Sequence, residues 1–168
     1  RLPAAYGEWI ARKATLEVGS DKRVETRDEL LHKASDARRR IAEGIDLLAT
    51  DPQVRRAFCL ANEAMAEAAL RRSPDRYDES RRPRWYLFQL AFVLLNLRGI
   101  HDGEHPDRGR VELIFFPTGG GKTEAYLGVI GFCLLLRRLR RAKMPDGGLG
   151  VTVLLRYTLR LLTLDQLG

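Results

Sequence analysis

At 168 residues, 45% hydrophobic and 30% charged, the chain has the apolar content for a core and more charge than a membrane-embedded or disordered protein carries. Its longest apolar stretch, Ala125 to Leu136, is far shorter than the roughly 20 residues of a spanning helix, so no membrane association is expected. The opening residues lack a signal-peptide pattern, which predicts a cytoplasmic protein, and a net charge of +7 favours polyanionic partners such as nucleic acid.

Between Asp21 and Leu48 the apolar positions Leu30, Ala34, Ala37, Ile41, Ile45 and Leu48 recur at three- and four-residue steps, which predicts an amphipathic helix with a charged outer face. Asp51-Pro52 predicts the start of a second helix, through Val54, Phe58, Ala61, Met65 and Ala68, because aspartate caps and proline suits the first helical position. Residues 1–72 therefore read as a helical N-terminal or accessory segment. Residues 73–84 hold Ser73-Pro74, Pro83 and many charges without an apolar period, and read as an exposed linker. Trp85 to Leu97 is apolar nearly all round, which predicts a buried helix. Gly99 to Gly109 reads as a polar loop. His101 and His105 lie in it beside acids, but a loop broken by Gly and Pro does not hold two imidazoles on one face, and no metal is expected there. Cys59 and Cys133 sit in apolar helical patterns and read as small buried hydrophobes.

Val111, Leu113, Ile114, Phe115 and Phe116 form an apolar run ending at Pro117, as a buried parallel strand would. A helix is predicted from Lys122 to about Arg141, ending in Arg137, Arg138, Arg140 and Arg141, where cations complement the carbonyl end. Pro145-Asp146-Gly147-Gly148 then leads to a second strand through Val151, Val153 and Leu155. Strand, glycine loop, helix and strand make a βαβ unit, so the expected fold class is α/β.

The chemistry is concentrated in Pro117-Thr118-Gly119-Gly120-Gly121-Lys122-Thr123. Glycines let successive backbone N–H groups turn inward around a phosphate, and the helix beginning near Lys122 aims its free N–H groups and positive dipole end at the same point. Lys122 is placed to reach the β- and γ-phosphates of a nucleotide, and the Thr123 hydroxyl to bind Mg²⁺. The full phosphate-loop pattern has glycine where Phe116 stands.

Pro-Thr-Gly-x-Gly-Lys-Thr preceded by a non-glycine residue resembles motif I of superfamily 2 helicases and translocases. Thr158-Leu159-Arg160-Leu161-Leu162-Thr163-Leu164-Asp165-Gln166 resembles motif Ia of the same superfamily, with Thr158 where proline is usual. The resemblance implies the N-terminal part of a RecA-like P-loop ATP-binding domain over residues 85–168, ATP and Mg²⁺ as cofactors, and ATP held by Pro117 to Glu124 with Lys122 and Thr123 in catalytic roles. It implies nucleic-acid contacts, DNA foremost, at Arg156, Thr158 and Arg160. The superfamily also reads adenine with a glutamine beside an aromatic residue; Phe88-Gln89 fits that description, and a glutamine hydrogen-bonded within a buried helix fits it equally. From Arg84 onward the residues further resemble the helicase component of bacterial DISARM anti-phage systems, which implies partners among other defence proteins.

The acidic pair that positions Mg²⁺ and water in such motors, and their arginine finger, are not found between Arg1 and Gly168. With Arg1 in place of Met, the reading is a piece of a helicase or translocase that does not hydrolyse ATP by itself. The alternatives are another P-loop NTPase, or a non-enzymatic nucleic-acid-binding adaptor with a vestigial loop.

Overall fold

Asp51 sets the sharpest corner of the fold. In the computed structural model, which describes residues 1–78, 80–115, 117, 119–146 and 148–156, its backbone is extended between α2 (Asp21–Thr50) and α3 (Pro52–Arg72). Its carboxylate accepts the N–H groups of Gln53 at 2.8 Å and Val54 at 3.1 Å, and Pro52 occupies the first helical turn, as the local sequence predicts. The helix α4 (Leu87–His101) extends one turn beyond the apolar run that announced it, and a 3-10 turn (Pro106–Gly109) follows. The last helix, α5 (Lys122–Arg141), starts and stops where expected.

A further helix, α1 (Leu2–Ala14), precedes the two that the apolar spacing predicts. Its signal was present: Leu2, Tyr6 and Trp9 at helical spacing, Pro3 in the first turn, and Arg12 and Lys13 in the last. Leu2 and Tyr6 pack against the core, and Arg38 of α2 donates from Nε to the Pro3 carbonyl at 2.9 Å.

One core gathers residues from four helices: Ile41 and Leu47 of α2, Val54, Ala57 and Ala61 of α3, Val93, Leu94 and Leu97 of α4, and Phe132 and Leu136 of α5. Each large buried side chain among them contributes about 1.5–3 kcal/mol by leaving water. The helix α2 lies on α4, α3 lies on α5, and α4 and α5 touch. Gly44 permits the first of these contacts, since a Cβ there would stand 2.1 Å from the Leu94 carbonyl oxygen. The buried stripe of α2 is narrower than its apolar spacing suggests, with Leu30 and Ile45 exposed.

Arg40, on the same helix, is buried with Asp107 of the 3-10 turn. Its Nε lies 3.1 Å from Asp107 Oδ2 and its Nη1 lies 2.6 Å from Glu112 Oε1, while Arg110 Nε approaches Asp107 Oδ1 at 2.9 Å. Arg40 Nε and Glu112 Oε1 are off hydrogen-bond alignment, so those two pairs are held by charge. These ion pairs fold the polar 99–110 stretch onto α2 instead of leaving it in solvent.

The expected α/β sheet is overturned. Every regular element among the described residues is helical, and the segments expected as strands carry no β-ladder. A strand exists only where its N–H and C=O groups find a neighbouring strand, and apolar content does not supply one. Val111, Leu113 and Phe115 are 96%, 84% and 92% exposed, and Val151 and Leu154 are also open, the reverse of a buried parallel strand. The βαβ unit is therefore absent from the described residues, and the glycine loop enters α5 from a non-helical segment.

Candidate nucleotide-binding loop

Gly119 and Gly121 have φ of 79° and 83°, a region that a side chain's Cβ disfavours and glycine enters freely. Gly120 donates its N–H to the Pro117 carbonyl at 3.1 Å, closing a turn, and Gly121 is the residue from which α5 springs. The first N–H groups of α5 therefore face the loop with the positive end of the helix dipole. Lys122 donates from Nζ to the same Pro117 carbonyl at 2.9 Å, so the ammonium lies folded over the turn. A phosphate in the loop would offer Lys122 an anionic acceptor in place of a neutral carbonyl, adding charge attraction to the hydrogen bond. Thr123 stands half-buried in the first turn of α5. Glu124 pairs with Arg72 at the end of α3, 3.2 Å apart.

Gln89 joins this loop to α4. It is buried; its Oε1 accepts the Tyr86 N–H at 2.8 Å and its Nε2 donates to the Gly121 carbonyl at 2.7 Å. An amide has two N–H groups and two lone pairs, so these bonds use half its capacity. A Cβ on Gly121 would meet Gln89 Nε2 at 2.6 Å, a second reason for glycine there. Behind the loop, Trp85 donates from Nε1 to Asn62 of α3 and lays its ring against Gly128, where a Cβ would stand 2.8 Å from the ring edge. Phe92 and Tyr126 meet edge to face with centroids 5.7 Å apart. Both contacts set α4 and α5 in register beneath the glycines.

The structure thus brings Pro117, Gly119, Gly120, Gly121, Lys122, Thr123, Glu124 and Gln89 together at one helix start. Thr118 lies outside the described residues, as do Phe116, Thr158, Arg160 and the rest of the segment through Gln166. Arg156 is described and exposed. Sequence reasoning missed Arg72 and the Trp85–Asn62 bond; a tryptophan opening an apolar helix was the visible signal for the second, and none marked the first.

The other polar groups belong to structure. Glu43, His105 and Asp107 offer ligand atoms within 4.8 Å of one another, but the guanidinium groups of Arg39, Arg40 and Arg110 reach Asp107 at 3.7, 3.1 and 2.9 Å. A cation there would face three positive charges. His101 turns Nδ1 toward Arg140, and burial together with that arginine holds its pKa below the usual histidine range. Cys133 is half-buried, and burial pushes its thiol pKa up; Cys59, expected inside, is exposed. No described helix is long and apolar enough to cross a membrane.

No protein-family model and no solved structure matches the chain. Among curated proteins it is similar to the DISARM protein DrmA of Bacillus paralicheniformis, with 41% identity over 180 aligned positions. The match takes in 98% of this chain and 16% of that relative, so the chain spans a small part of the relative's length. The similarity, expected from Arg84 onward, covers the N-terminal helices as well and supports a DISARM relationship.

Proposed function

We propose that this chain is the nucleotide-binding segment of an ATP-dependent nucleic-acid helicase or translocase acting in DISARM-type anti-phage defence. The observation that carries the reading is the loop itself: two glycines at positive φ, an ammonium folded over the turn, and a helix N-terminus opening on the same point. The similarity to DrmA supports the defence role.

In this reading the backbone N–H groups of the loop and of the first turn of α5 hold the phosphates, and Lys122 swings from the Pro117 carbonyl to the β- and γ-oxygens. The donor set fits Mg²⁺-ATP: a cationic side chain for the phosphates and the Thr123 hydroxyl for the ion. The hydroxyl helps to hold Mg²⁺, which neutralises phosphate charge. Gln89 fixes the Gly121 carbonyl and keeps the loop in shape before the nucleotide arrives. Arg156 contributes to contacts with the nucleic-acid backbone, together with Thr158 and Arg160.

The test is equilibrium nucleotide binding by the full-length protein and its Lys122→Ala variant. Loss of a charge-assisted bond worth about 1.5–3 kcal/mol weakens ATP roughly 10- to 150-fold. Unchanged affinity in the variant would sink the proposal.

A further inference from the structure

The segment between α3 and α4 is more than a connection. Both its ends are tied to the first two turns of α5: Arg72 pairs with Glu124, and Trp85 packs on Gly128 while Tyr86 is linked through Gln89 to Gly121. Between these anchors lies a cavity of about 550 Å³ lined by Arg76, Tyr77, Ser80, Arg81, Arg82 and Arg84. Among the described residues, Asp78 is the acid paired within this group. It accepts from the Ser80 hydroxyl and N–H and pairs with Arg81 at 2.8 Å, which together hold its carboxyl well below the usual range and keep it charged. Among the described residues no ion pair involves Arg76, Arg82 or Arg84, and Arg76 lies over the Tyr77 ring at 5.3 Å. Three guanidinium groups that pair with no carboxylate among the described residues thus line one concavity between α3 and α4.

We infer that this cavity binds the phosphodiester backbone of a single-stranded nucleic acid; the inference rests on the motor reading above and names a contact surface for its track. Arginine forks match phosphate oxygens two at a time, and repeated phosphates along a strand suit several guanidinium groups spread round a groove. A nucleotide's own phosphates are provided for by the glycines and Lys122, which are a separate set of residues. The segment that carries the cavity is anchored to the start of α5 at both ends, by Arg72–Glu124 on one side and Tyr86–Gln89–Gly121 on the other.

The experiment uses the full-length protein, a fluorescent single-stranded oligonucleotide and a fluorescent ATP analogue, with binding measured across a salt series. The variants are the triple Arg76→Ala, Arg82→Ala, Arg84→Ala and the corresponding triple to lysine. Each phosphate contact on a single strand contributes about 0.7 to the slope of log affinity against log salt. The alanine triple is expected to lower that slope by about 2 and to weaken the oligonucleotide at least tenfold, while ATP affinity holds and the lysine triple keeps the slope. An unchanged slope and affinity in the alanine triple overturns the inference and leaves the motor reading standing. Loss of ATP affinity instead reassigns the cavity to the nucleotide and overturns it too. Failure of the wild-type protein to bind any oligonucleotide overturns both.

Discussion

Replacing Gln89 by alanine tests the link between α4 and the glycine loop. The side chain is 4% exposed and makes two hydrogen bonds, one from the Tyr86 N–H at 2.8 Å and one to the Gly121 carbonyl at 2.7 Å. Each neutral bond of this kind contributes about 1 kcal/mol, and a partner left buried without one costs about 1–3 kcal/mol. Tyr86 and Gly121 both retain contact with solvent, so water takes over part of that loss. The sum is about 2–3 kcal/mol, before any contribution from the small void. With a urea slope of about 1–3 kcal/mol per molar, the unfolding midpoint moves down by about 0.7–3 M. Urea titration followed by far-ultraviolet circular dichroism reads this directly, without nucleotide present. A midpoint within about 0.2 M of wild type would refute the bridging role, whatever the variant did to ATP affinity, because the slope bounds that shift to well under 1 kcal/mol. Preference for ATP over GTP, measured on the same variant, reports separately on adenine recognition.

Other perturbations follow from the same geometry. Gly44→Ala gains about 1 kcal/mol of helix propensity but drives a methyl to within 2.1 Å of the Leu94 carbonyl oxygen, which belongs to backbone and cannot swing aside; with overpacking at the upper end of about 3 kcal/mol, a net loss of about 2 kcal/mol is expected in thermal or urea unfolding. Asp107→Ala leaves Arg40 buried with Glu112 as its remaining partner, so stability falls by about 3 kcal/mol, the low end for a broken buried pair, and a loss below about 1 kcal/mol would show the site hydrates freely. Burial raises the Asp51 pKa, but the N–H groups of Val54 and Gln53, with His101 and Arg140 nearby, outweigh it and hold the carboxyl below its ordinary value. Its contribution is accordingly complete above about pH 4 and disappears as pH falls through the lowered value; Asp51→Asn, which still caps, should flatten that acid limb of the stability curve. In native protein at mildly alkaline pH, alkylation followed by mass spectrometry should mark the exposed Cys59 well before Cys133, whose thiol is half-buried and held protonated by burial.

The parts of the fold legible from sequence were those governed by local chemistry. Asp51-Pro52 begins α3 because the cap and the ring act within one turn, and the glycines ahead of Lys122 open α5 for the same kind of reason. The failures concern partners distant in the chain. Val111 to Phe115 and Val151 to Leu155 have strand composition, but composition cannot provide a neighbour to pair with. Arg40 sits in what reads as a charged outer face and is buried because Asp107 and Glu112 come to it from beyond α4. Gln89 shows an intermediate case: its polarity inside an apolar helix was visible, its two bonds were not. The candidate site was therefore legible as a loop and illegible as an assembly, since Arg72, Trp85 and Asn62 support it from other helices.

The exposed segments 111–115 and 151–155 also bear on how the chain behaves in solution. Val111, Leu113, Phe115, Val151, Leu154 and Leu155 present apolar side chains to water on segments that carry no β-ladder. Such surface is adhesive, and backbone outside a ladder can pair edge to edge with another chain. A preparation of this chain should therefore self-associate as its concentration rises, even with seven net positive charges to keep copies apart. Added salt, by screening that repulsion, should bring association on sooner, and sedimentation velocity at two ionic strengths would detect it.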